Sequence, residues 1–107
     1  MGENSIPIPV ASPAYYAWLY PKMAEVAKRL GYALTLHGSL SRDFDVVAIP
    51  WVEEAVDADV LADTLKDELG GFYAPNDFPG AKPHGRRAYS IHLGGGPYID
   101  LSVMPKA

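Results

Sequence analysis

Cysteine is absent altogether, which removes disulfides, thiolate nucleophiles and cysteine-ligated zinc from consideration. A basic excess is missing too: 9 Lys and Arg stand against 13 Asp and Glu, a formal net charge of -4. A surface dedicated to nucleic acid normally carries such an excess, so only a local patch could serve that purpose. No apolar run reaches the length of a membrane span. The opening Met1-Gly2-Glu3-Asn4-Ser5 has no basic stretch leading into apolar residues, so no secretory signal is expected and the cytoplasm is the default compartment. Repeats and low-complexity tracts are also lacking. What remains is 107 residues, 49% apolar and 21% charged, the composition of an ordinary soluble protein. One domain over residues 1–107 is expected, large enough for a core without staples.

Local signals divide the chain into two helices and about four strands. Residues 1–11, rich in proline and small residues, read as an extended lead-in. Ser12-Pro13 reads as an N-cap followed by proline at the first helical position. Tyr16, Leu19, Met23, Val26 and Leu30 follow at helical spacing, while Pro21 predicts a kink or two short helices. Gly31 is placed to end the helix. Tyr32 to Leu40 and Asp43 to Trp51 read as strands separated by a short turn, hence an antiparallel hairpin. Asp57 is expected to cap a helix over 58–69 with Val60, Leu61, Leu65 and Leu69 inward, closed by Gly70-Gly71. Residues 72–86 read as a long surface loop. Tyr89 to Leu93, Gly94-Gly95-Gly96-Pro97 and Tyr98 to Met104 read as a second hairpin. The expected fold is α+β: two layers, a mostly antiparallel sheet of about four strands and two main helices on one face.

Carboxylates on these strands carry the chemical signal. Side chains alternate faces along a strand, so Asp43 and Asp45 share one face while Phe44, Val46 and Ala48 take the other. Asp100 lies out of phase with Ile99, Leu101 and Val103 in the same way. Carboxylates on apolar strands call for a cation, an Arg or Lys partner, or a wet sheet end. Arg42, Arg86 and Arg87 are the nearest candidate partners, and Lys82 extends that basic cluster. The cation reading makes Asp43, Asp45 and Asp100 ligands of Mg²⁺, a hard ion that prefers oxygen. His37-Gly38-Ser39 lies just before them, and a Gly-Ser turn beside paired carboxylates suits a nucleoside triphosphate. His37, His92 and Asp100 offer a weaker alternative, a zinc-type site on strands taken as neighbours. Trp18, Trp51, Tyr15, Tyr16 and Tyr20 are read mainly as core or edge packing, with a partner-binding patch of Tyr15, Tyr16, Trp18 and Tyr20 as the alternative.

The Gly-Ser turn, the Asp-x-Asp strand and the later strand carboxylate together resemble the polymerase-beta-like nucleotidyltransferase superfamily. The resemblance implies that Gly38 and Ser39 bind phosphate and that Arg42 contacts it as well. It further implies that Asp43 and Asp45 hold Mg²⁺, and that Asp100 completes the metal site and acts as base toward an acceptor hydroxyl. Only Leu40, Ser41 and Arg42 separate Ser39 from Asp43, where the superfamily has a longer segment. The implied protein is therefore a shortened enzyme or a fold kept without turnover. The segments His37 to Trp51 and Ile91 to Pro105 also look like small phage and prophage proteins. A non-enzymatic accessory or protein-binding module is the alternative function.

Overall fold

A computed structural model describes residues 13–38, 43–74 and 85–106, with the backbone alone at 80–81. The element order is α1 (Pro13–Arg29), β1 (Tyr32–His37), β2 (Asp43–Pro50), α2 (Ala58–Glu68), β3 (Gly80–Ala81), β4 (Arg87–His92) and β5 (Tyr98–Val103). The sheet order is β1-β2-β5-β4-β3. β1–β2 and β4–β5 are antiparallel, as the two short turns require, and β3 pairs antiparallel with β4. β2 and β5 run parallel. After β2 the chain crosses as α2, lays down β4 one place beyond, and turns back as β5 into the gap.

Burial alternates along the strands and assigns the two faces of the sheet. Phe44, Val46 and Ala48 of β2, Ile99, Leu101 and Val103 of β5, and Tyr89 and Ile91 of β4 are buried. They meet Tyr16, Leu19, Met23 and Val26 of α1 and Leu61, Ala62 and Leu65 of α2 in one core. Both helices therefore cover a single face, and the opposite face carries Asp43, Asp45, Tyr98, Asp100, Ser90 and His92. Phe44 is the centre of the packing: the Tyr16 ring stacks on it at 4.9 Å and the Tyr20 ring meets it edge-on at 6.5 Å. The Tyr20 hydroxyl donates to the Leu34 carbonyl at 2.8 Å and the Tyr32 hydroxyl to the Val56 carbonyl at 2.6 Å. The first bond ties α1 to the edge strand β1 and the second ties β1 to the segment before α2, satisfying partly buried polar atoms.

Several expectations are corrected in detail. Of the kink or two short helices expected at Pro21, two helices are excluded: a single helix runs through it, with Ala17 and Pro21 on its exposed side. Val60 is 47% exposed and Ala62 takes its place in the core. Trp18 and Trp51 are exposed rather than packed. Asp57 is the N-cap of α2, yet its carboxylate makes no cap bond and accepts from Lys106 Nζ at 3.2 Å. The 72–86 stretch is not uniform loop, since Phe72 bridges to His92 and β3 pairs with β4. Gly31 follows α1 at φ +93, where an added Cβ would lie 2.7 Å from the Ala55 backbone. Only glycine satisfies both constraints at that junction. Ser12, Lys82 and His84 lie outside the described residues. Among the described residues, no helix is long and apolar enough to cross a membrane.

Candidate metal centre

Register on the face opposite α1 and α2 gathers the carboxylates. Asp45 lies directly across from Asp100 in the parallel β2–β5 pair, and Asp43 lies across from Tyr98. Because Asp43 and Asp45 are two apart on one strand, all three carboxylates crowd together. One oxygen from each lies within 4.8 Å of the others, and each residue is half-buried. Asp100 is thus on the same side as the pair, as alternation predicted. The parallel neighbour relation that brings it there was not foreseen.

The cluster is under electrostatic tension. Fully ionised carboxylates about 4 Å apart repel by about 4 kcal/mol per pair at an effective dielectric near 20, before salt screening. Burial pushes the Asp45 carboxyl above its ordinary range, and the negative Asp43 and Asp100 push further, with His37 acting the other way. Neither Arg86 nor Arg87 is among these leading influences; Arg87 pairs with Asp59 at 3.8 Å instead. Arg42 and Ser39, of the expected phosphate cradle, lie outside the described residues.

Gly38 bears on the same carboxylates. Its φ is +78, and a Cβ added there would come within 2.4 Å of Asp45 Oδ2. The carboxylate occupies the space a side chain would need. Gly38→Ala is therefore expected to cost about 1–2 kcal/mol for the left-handed backbone. It should also rotate Asp45 away from its two partners. Thermal unfolding combined with Mn²⁺ titration checks this: a modest drop in midpoint should accompany a disproportionate loss of affinity.

Two residues flank the cluster in ways that sequence reasoning missed. The Tyr98 hydroxyl donates to Asp43 Oδ2 at 3.2 Å. Burial, and then the charge of Asp43, holds that phenol above its ordinary pKa. Alternation alone could have found Tyr98, which precedes Asp100 by two residues and shares its face. Phe72 was hidden because only its bridge to His92 brings it alongside the sheet. The zinc alternative fails on topology. His37 and His92 lie on β1 and β4, three strand spacings apart, or about 14 Å. His92 instead stacks between Phe72 at 5.6 Å and Tyr98 at 5.5 Å.

The donor set suits a hard divalent ion. Three carboxylates from two adjacent strands offer only oxygen, the chemistry of Mg²⁺, Mn²⁺ and Ca²⁺ sites. Oxygens on opposite sides of one Mg²⁺ are about 4.2 Å apart, so a cluster within 4.8 Å needs little adjustment. A cation would also relieve the repulsion that raises the Asp45 carboxyl.

Two helices on one side of an open mixed sheet, with acidic residues clustered on the other, make a two-layer α+β fold. Among solved structures, that of a cytoplasmic RNA terminal U-transferase is similar to this chain with a TM-score of 0.50 at 12% identity. The match covers 85% of this chain and 29% of that one, so the chain spans under a third of that neighbour's length. At this identity the likeness concerns the fold. No protein-family model and no curated protein matches the sequence.

Proposed function

We propose that the chain is a minimal nucleotidyltransferase-type domain that binds a nucleoside triphosphate with Mg²⁺ at Asp43, Asp45 and Asp100. The convergence of the three carboxylate oxygens within 4.8 Å is the observation that carries this reading. Asp43 and Asp45 would hold the ion, with Asp100 completing the ligand set. When bound, the ion would supply charge stabilisation to the phosphate oxygens. Asp100 would accept the proton of the acceptor hydroxyl. The acceptor oxygen would bond to the α-phosphorus while the bond to the bridging oxygen breaks, and pyrophosphate would leave. Gly38, Ser39 and Arg42 would contact phosphates. Because the structural neighbour is an RNA terminal U-transferase, UTP and an RNA 3′ end are the first substrates to try. A phage or prophage setting belongs to the same proposal and rests on sequence segments alone.

The short link from Ser39 to Asp43 favours a second reading, nucleotide binding without turnover in an accessory protein. One experiment separates the two. Protein with Mg²⁺ or Mn²⁺, each ribonucleoside triphosphate and a short RNA is assayed for pyrophosphate release and for RNA extension. Release that Asp100→Asn abolishes supports the enzyme. Metal-dependent nucleotide binding without release supports the second reading, and no binding at all contradicts both.

A further inference from the structure

The face opposite α1 and α2 carries a second ordered feature beside the aspartates, a row running across the strands. Asp43 on β2 lies opposite Tyr98 on β5, Tyr98 opposite His92 on β4, and His92 opposite Phe72. Their side chains meet in that order. Tyr98 donates its hydroxyl to Asp43 Oδ2 at 3.2 Å. The Tyr98 and His92 rings stack at 5.5 Å with 28° between planes, and His92 and Phe72 at 5.6 Å with 25°. Rings stacked across neighbouring strands lock one another's side-chain rotation. The phenol at the end of the row is therefore held in one place, and it fixes a single oxygen of Asp43.

We propose that Tyr98 is a positioning residue for the metal ligand Asp43, held in place by the stacked rings of His92 and Phe72. This rests on the metal reading above. A carboxylate on a strand can rotate about two bonds, and three like charges drive it outward, away from its neighbours. A hydrogen bond to Oδ2 opposes that rotation, leaving Asp43 preset for an ion before it arrives. Partners of this kind, which orient a ligand without touching the metal, typically change affinity by about 10–100-fold when removed.

Mn²⁺ alone serves as the probe, with affinity and thermal midpoint measured on the same samples. Tyr98→Phe keeps the ring and its stack and removes only the donor. It is expected to weaken Mn²⁺ binding by about tenfold or more, with a midpoint close to that of the parent. His92→Leu removes the middle ring and keeps the phenol, and is expected to weaken binding by a smaller factor. Mn²⁺ affinity within twofold of the parent in Tyr98→Phe overturns the proposal, as does a loss seen only in step with unfolding. If the parent protein itself binds no Mn²⁺ at these aspartates, the metal reading falls first and this inference with it.

Discussion

Asp45→Asn is expected to make the metal-free protein more stable and to weaken Mg²⁺ or Mn²⁺ binding by about 10–100-fold or more. The two effects share one cause. Asp45 is half-buried, and its carboxyl is pushed above 3.8 by burial and by the charges of Asp43 and Asp100. Its folded-state pKa therefore exceeds the unfolded one, so the fold binds that proton more tightly. The resulting contribution is present below about pH 3.8 and is lost as pH rises through the folded value. As Asp45 gains its charge, it works against the metal-free fold. Asparagine is nearly the same size, cannot ionise, and removes the repulsion. It is also a poorer ligand for a hard cation, so the affinity loss should at least match that of losing an outer partner, which is about 10–100-fold. Thermal unfolding from pH 4 to pH 8 with and without Mg²⁺ is the check. The parent should lose stability as pH rises and regain it with Mg²⁺, by about 1.4 kcal/mol at ten times the dissociation constant. The variant should show neither response. A destabilised variant that still responds to Mg²⁺ would make Asp45 a structural residue.

Phe44→Ala is expected to have the largest effect on stability, about 3–5 kcal/mol. Phe44 is fully buried between the Tyr16 and Tyr20 rings. Alanine would remove most of the ring's buried area and leave a cavity that α1 and β2 cannot both close. Domains of this size are stable by only about 5–15 kcal/mol, so much of the margin would go. Phe44 also lies between Asp43 and Asp45 on one strand, and loosening β2 should cost metal affinity as well. Urea unfolding of Phe44→Ala beside Val60→Ala, an exposed control expected to stay within about 0.5 kcal/mol, measures the difference. Equal losses in the two variants would contradict the core described here.

The contrast between these two residues shows how far the sequence could be read. Alternation along Asp43-Phe44-Asp45-Val46 assigned carboxylates to one face and packing residues to the other, and the same phase placed Asp100. Helical spacing identified Tyr16, Leu19, Met23 and Val26, and short turns identified both hairpins. All of these signals are local. The parallel pairing of β2 with β5 is not local, because it joins residues 55 positions apart, as in Asp45 and Asp100, and depends on which edge each hairpin presents. The same gap in knowledge made His37 and His92 look like neighbours when two strands lie between them. Val60 points outward because α2 meets α1 and β4 through Leu61, Ala62 and Leu65, a choice of face that helical spacing alone does not settle. Tyr98 was legible in phase but not in partner: that its hydroxyl would meet Asp43 follows only once β5 is known to lie beside β2.

A titration of Mg²⁺, followed by carboxyl-carbon NMR of the aspartates, tests the account most directly. Saturable shifts concentrated at Asp43, Asp45 and Asp100, and absent in Asp45→Asn, are the result predicted. Weak, unsaturated shifts spread over exposed acids such as Glu53, Asp57 and Asp67, with the three strand aspartates unmoved, would contradict it.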